Sequence, residues 1–178
     1  MKKVKTILCM LSVAWLIMTG ITACEQKLEY KVYTNAQLPY TFEVPATWMM
    51  DDSIPGIVKF YNAEKSMGIN CEVGSDALVP EENLDDYCDW DLKRHKSDIN
   101  NNEQELVKAN THYILKWRDD DGVYYIDGGK CVNGYLGGIR MVSDSITQME
   151  AYKIFEHVFG SISSNPDFEE PEDTDEED

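Results

Sequence analysis

Histidine is scarce in this chain, with three residues in 178 and no two close together. The patterns that mark common active sites are missing as well. Gly-x-Ser-x-Gly, the phosphate loop, Gly-x-Gly-x-x-Gly and His-Glu-x-x-His do not occur, so hydrolase, nucleotide and zinc-protease sites have no sequence support. Bases are few: 16 lysines and arginines stand against 33 acids, for a formal net charge of −17. Like charges repel within a Debye length, which argues against nucleic acid and anionic lipid surfaces as partners. Long hydrophobic runs are lacking too. The segment Ile7 to Met18 is almost wholly apolar, but as a helix it spans roughly 18 Å, short of the roughly 30 Å hydrocarbon core of a bilayer. It does not serve as a permanent spanning anchor.

What that segment has instead is the layout of an export signal. Lys2, Lys3 and Lys5 precede it, and small or polar residues follow at Thr19, Gly20, Thr22 and Ala23. Ile21-Thr22-Ala23-Cys24 resembles the lipobox of bacterial lipoproteins. The resemblance implies a diacylglyceryl group on the Cys24 thiol, cleavage that leaves Cys24 as the first mature residue, and often an acylated amine. Each buried methylene contributes about 0.8 kcal/mol, so two or three chains anchor stably where one is marginal. The expected address is the cell envelope, with the domain outside the cytoplasm and the outer membrane favoured over the inner.

Cleavage before Cys24 removes three lysines and no acids, so the mature 155 residues carry −20. That length suits one domain. The reading divides the chain into a signal peptide over 1–23, a polar tether over 24–37, a single domain over 38–163 and an acidic tail over 164–178. From Asn165 to Asp178 there are nine carboxylates, no bases and two prolines, a composition expected to stay disordered.

Within the domain, Tyr40, Phe42 and Val44 alternate with Thr41 and Glu43, the period of a strand that Pro45 ends. A short strand is expected around Trp48 to Met50 and a turn at Ser53 to Gly56. Ile57 to Tyr61 and Met67 to Val73 then read as a hairpin. Leu84, Tyr87, Cys88 and Leu92 fall at helical spacing, with Glu81 and Glu82 before them and Lys93, Arg94 and Lys96 after, matching the helix dipole. A loop from Ser97 to Gln104 leads into a meander. His112 to Arg118 turns at Asp119 to Gly122, Val123 to Val132 turns at Asn133-Gly134, and Tyr135 to Val142 completes it; Asn-Gly is the strongest short hairpin signal. Ser145 with Gln148 has the pattern of a capping box, and Met149, Tyr152, Phe155, Val158, Phe159 and Ile162 form the stripe of a closing helix. The fold class is α+β, a mostly antiparallel sheet with helices packed on it.

Phe42-x-Val44-Pro45-x-x-Trp48, a helix after the first hairpin, the long meander and the closing Phe155-x-x-Val158-Phe159-x-Ser161-Ile162 together resemble the PsbP-like superfamily over Leu38 to Ser163. The resemblance implies an α/β/α sandwich. For a lipid-anchored member it points to the DcrB-type envelope lipoproteins, with binding or scaffolding and no shared catalytic residues.

Candidate site residues are few. Beyond Cys24, Cys71, Cys88 and Cys131 remain. Three thiols allow one bridge in three pairings, and the alternatives weighed are a Cys71 to Cys88 disulfide and unpaired buried thiols, the second favoured because cysteine packs as a small hydrophobe. Trp90 lies off the helix stripe and is the candidate exposed aromatic. His95 and His157 stand near helix ends, where imidazolium complements the dipole. Asp85, Asp86, Asp89 and Asp91 read as a solvated helix face, and Asp119 to Gly122 as a hairpin turn without the ligand spacing of a calcium loop. No catalytic residue, metal site or cofactor is expected. The favoured function is a lipid-anchored, non-catalytic binding or assembly module for another envelope protein. A small-molecule or glycan binder and an enzyme of unfamiliar type are the rivals; both would need a cleft.

Overall fold

Alternation of apolar and polar residues dictates where the strands lie, and a computed structural model describing residues 28–74, 78–95 and 104–170 shows how they assemble. Ten strands and two helices follow in order: β1 (Tyr30–Tyr33), β2 (Tyr40–Pro45), β3 (Met49–Ile54), β4 (Ile57–Tyr61), β5 (Met67–Glu72), α1 (Leu84–Arg94), β6 (Glu105–Ala109), β7 (His112–Arg118), β8 (Tyr124–Val132), β9 (Tyr135–Ser143), α2 (Gln148–Ser161) and β10 (Ser163–Ser164). Seven strands form one sheet in the order β3-β4-β5-β9-β8-β7-β6, antiparallel throughout, and β1-β2-β10 form a second, smaller sheet. The β8–β9 hairpin turns at Asn133 and Gly134, both at positive φ (55° and 82°), the backbone a two-residue type I′ turn demands.

Strand alternation sends side chains to two faces, and each face receives a helix. On one face Phe60, Ile69, Ile126, Ile139 and Met141 meet α2 (Ala151, Ile154, Phe155, Val158) and β2 (Tyr40, Phe42, Val44), with Leu38 and Trp48 completing the main core. Gly128 is required there: a Cβ on it would lie 2.7 Å from the Phe155 ring and 2.9 Å from that of Phe159. On the other face Leu84 and Cys88 of α1 cover Tyr113, Leu115, Trp117 and Leu136. This second core reaches only the β7-β8-β9 half. Over β4 and β5 the same face carries Ile57, Lys59, Tyr61, Asn70 and Glu72, none of them buried.

Several boundaries differ from the sequence expectation. Residues 30–33, assigned to the tether, form β1, because pairing of Tyr30–Tyr33 with Phe42–Pro45 supplies hydrogen bonds that their weak alternation does not announce. The start of the expected disordered tail is packed: Asn165 is buried and its amide donates to the carbonyls of Asn35 at 2.9 Å and Leu38 at 2.8 Å, while Phe168 meets the Tyr135 ring. Residues 171–178 lie outside the described residues. Ser145 does not cap α2. The N-cap is Thr147, without a side-chain capping bond; Asp144 holds the turn before it, accepting from the Thr147 amide at 2.9 Å and its hydroxyl at 2.7 Å, and Gln148 accepts from Arg118 at 2.8 Å. Met149, placed on the buried stripe, is 79% exposed.

Candidate functional site

A two-residue turn fixes which residues face each other, so the Asn133-Gly134 hairpin sets Asp127 directly opposite Arg140. The register then continues from strand to strand, Arg140 to Asn70, Asn70 to Lys59 and Lys59 to Asp51. Five polar residues thus form a straight row across the face that α1 half covers, with neighbours about 4.8 Å apart. The inner end of the row is buried under α1, which places Asp91 and, one turn later, His95 above it. Asp91, His95 and Asp127 are all 4% exposed or less.

These groups bond to one another. Arg140 grips Asp127 with two nitrogens: its Nε donates to Oδ1 and its Nη2 to Oδ2, the latter at 3.2 Å. Trp117 Nε1 donates to Asp127 Oδ2 at 2.9 Å, and Tyr113 donates to Asp91 Oδ2 at 3.2 Å. His95 Nε2 stands 3.3 Å from Asp91 Oδ1, 3.6 Å from Asp127 Oδ2 and 3.0 Å from Arg140 Nη2. Its ring stacks on Trp117 at 4.2 Å, and Trp117 stacks on Tyr125 at 4.0 Å. Burial raises the Asp127 carboxyl above its ordinary range against the pull of Arg140, with Asp91 adding to the rise. For Arg140 burial acts against the charge, but the carboxylates of Asp127, Asp91 and Glu72 together outweigh it and hold the guanidinium above its usual value. Tyr113 is raised by burial and by the charge of Asp91.

Asp91, His95 and Asp127 offer three ligand atoms within 4.8 Å of one another, the spacing of a metal site. The donor set does not fit a dication, however. The Arg140 guanidinium stands where the ion would have to be, 3.0 Å from His95 Nε2 and 3.9 Å from Asp91 Oδ1, and it already neutralises the carboxylates. The cluster is an ion-pair network that ties α1 to the sheet.

Against this network lies a cleft of about 230 Å³, lined by Asp91, Tyr113, Asp127 and Arg140 of the network and, among others, by Lys59, Asn70, Glu72, Tyr87 and Arg94. Its floor passes over Gly138, where a Cβ would meet nothing within 4 Å. Burial, with the field of Glu72 next, raises the Tyr87 hydroxyl to about 12, so it stays neutral.

The residues singled out from the sequence are scattered. Cys24 lies outside the described residues. The Cys71 to Cys88 bridge does not form: both thiols are free and buried, Cys71 in the main core and Cys88 in the second, so the sheet stands between them. Cys71 Sγ lies 3.2 Å from the Tyr40 hydroxyl, and burial pushes its thiol up to about 12. Trp90 is 48% exposed, beside Tyr87 and under the Arg94 guanidinium. Asp119 accepts from the Val123 amide at 2.8 Å and the Tyr125 hydroxyl at 3.0 Å, as a turn residue. Two readings are corrected. Asp91 belongs to no solvated face, and His95 is no surface complement to a dipole; both are interior because Asp127 and Arg140 receive them. His157 pairs with Glu43 at 2.6 Å and stacks on Tyr30. The signal for the network was present in the sequence, as a charged residue in mid-strand on each side of an Asn-Gly turn.

No family model matches the chain, and no curated protein matches it. Among solved structures it is similar to the solution structure of cyanobacterial PsbP (CyanoP) from Synechocystis sp. PCC 6803, at 14% identity and a TM-score of 0.51, over 82% of this chain and 98% of that one. The fold is therefore the PsbP-like α+β fold, mostly antiparallel sheets with two helices packed on them. Among the described residues no helix is long and apolar enough to cross a membrane.

Proposed function

We propose that this chain is a non-catalytic binding module of the cell envelope, held beside a membrane by lipid on Cys24 and docking another envelope protein. The fold supports a binding role by analogy alone. Against catalysis stands the economy of the buried network: the carboxylates of Asp91 and Asp127 are engaged by Tyr113, Trp117 and Arg140 within the protein. The lipobox at Ile21 to Cys24 supplies the anchor, and the tether between Cys24 and β1 is a few residues only.

The observation that carries the docking half is edge strand β3. Its outer side has no partner strand among the described residues, and Met49, Met50 and Ile54 on it are 43%, 52% and 43% exposed. An open edge with apolar side chains is a template for strand addition, and Asp51 and Asp52 beside them suit a basic partner. The test is a photo-crosslinking residue placed at Met50 in cells, with a control at Glu156 on α2. A discrete protein adduct from position 50, absent from position 156 and reduced in Cys24→Ser, is expected. Equal labelling from both positions, or none from position 50, would contradict the reading.

A further inference from the structure

The polar row divides into a spent end and an unspent end. Asp127 and Asp91 line the cleft but, with His95, are already engaged by Arg140, Trp117, Tyr113 and one another. At the cleft, Lys59, Asn70, Glu72 and Tyr87 line the wall and make no side-chain hydrogen bond or ion pair among the described residues, and Arg94 meets only the Trp90 ring. Arg140 uses Nε and Nη2 on Asp127 and His95; its remaining nitrogen, on a side chain 27% exposed, is left for the cleft that Arg140 lines. A concave site where several polar groups converge without partners is built to receive them from a ligand.

Position sorts these groups by charge. Lys59, Asn70 and Arg140 share one cross-strand row. Glu72 stands two residues along β5 from Asn70, about 7 Å away, opposite Ile57 and beside the gap over Gly138. Cationic donors therefore lie on one side and Glu72, the one lining carboxylate without a partner among the described residues, on the other; Asp91 and Asp127 also line the cleft but are held by Tyr113, Trp117 and Arg140, and Tyr87, Val79 and Leu136 form the apolar wall. The balance also decides net charge. A free anion would be repelled at a distance by a mature chain of net charge −20, and a free cation would meet Lys59, Arg94 and Arg140 on entry. A ligand with one charge of each sign is repelled by neither. The volume of about 230 Å³ is below the roughly 300–1,000 Å³ of drug-sized sites, which sets the ligand near the size of one amino acid.

We propose that this cleft binds a small zwitterion of the α-amino acid type, its carboxylate taken by Lys59, the Asn70 amide and Arg140, its ammonium by Glu72, and its apolar side chain laid against Tyr87. The site is separate from edge strand β3 and does not depend on protein docking there.

L-Phenylalanine is the probe, titrated by calorimetry into the full mature protein in detergent beside phenylpropionate, which lacks the ammonium, and phenethylamine, which lacks the carboxylate. Hydrogen bonds to charged groups contribute about 1.5–3 kcal/mol, so each truncated analogue should bind at least about tenfold more weakly. Glu72→Gln should weaken L-phenylalanine by a similar factor and leave phenylpropionate unchanged. Gly138→Leu should abolish binding while keeping the thermal midpoint, since its side chain grows into the open cleft. No saturable binding of L-phenylalanine, equal binding of all three probes, or unchanged binding in Gly138→Leu would each overturn the proposal. A Gly138→Leu chain that loses its midpoint is replaced by Gly138→Ala, for which weakened binding supports the site and unchanged binding overturns it.

Discussion

Replacing Arg140 with Met removes the one lysine or arginine that, among the described residues, contacts the buried carboxylates, while keeping the apolar stem. Arg140 Nη2 lies 3.2 Å from Asp127 and 3.9 Å from Asp91. At an effective dielectric of about 20, a unit pair at the longer distance is attracted by about 4 kcal/mol, and removing one partner of a buried pair costs about 3–5 kcal/mol. For a chain of this size each kcal/mol moves the midpoint by about 2–4 °C, so Arg140→Met should melt roughly 10 °C lower in calorimetry at neutral pH. The sign of the pH dependence is fixed by Asp127. Its carboxyl is raised in the folded protein, chiefly by burial, so its contribution is full below the unfolded value of about 3.9 and is lost as pH rises through the folded value. Without Arg140 that folded value rises further and the window widens, so acidification to about pH 5 should recover part of the loss. Adding Asp127→Asn to Arg140→Met should recover part of it at neutral pH. A loss under about 1 kcal/mol, or one indifferent to pH and to the second substitution, would refute the view that Arg140 neutralises this network.

Three further outcomes are expected. Gly128→Ala drives a Cβ to 2.7 Å from the Phe155 ring and should cost about 1–3 kcal/mol by overpacking, whereas Gly138→Ala, with open space at its Cβ, should be neutral or stabilise by up to about 1 kcal/mol; urea melts compare them. Asn165→Ala leaves the carbonyls of Asn35 and Leu38 without their amide donor and should cost about 1–3 kcal/mol, which a disordered residue would not. Asp144 is held below its ordinary range by the Thr147 hydroxyl and amide, so its stabilisation exists above its unfolded pKa and fades as pH falls through the folded one; Asp144→Ala should lower the midpoint at pH 7 and flatten the acid limb of its pH profile.

Much of the sheet was legible because its cause is local. Alternation at Met67, Ile69 and Cys71 reports one buried face, and Asn133-Gly134 fixes the register of β8 on β9. β1 and β6 were not, because no alternating face of either is buried; pairing with β2 and β7 makes them strands. The facing of Asp127 and Arg140 follows from counting outward from the turn, and Asp91 with His95 from helical spacing. That these two pairs meet depends on α1 crossing that part of the sheet, a tertiary fact with no local signature. The cleft was hidden for the same reason: Lys59, Glu72 and Tyr87 come from three separate elements, and the space between them exists because α1 covers only half of the face.

The proposed anchor stands or falls at the first mature residue. Intact-mass measurement of the native protein purified from membranes should give a chain starting at Cys24 and heavier than its peptide mass by a diacylglyceryl group, with or without a further acyl chain. A mass equal to the bare chain from residue 24, or one retaining residues 1–23, would contradict it.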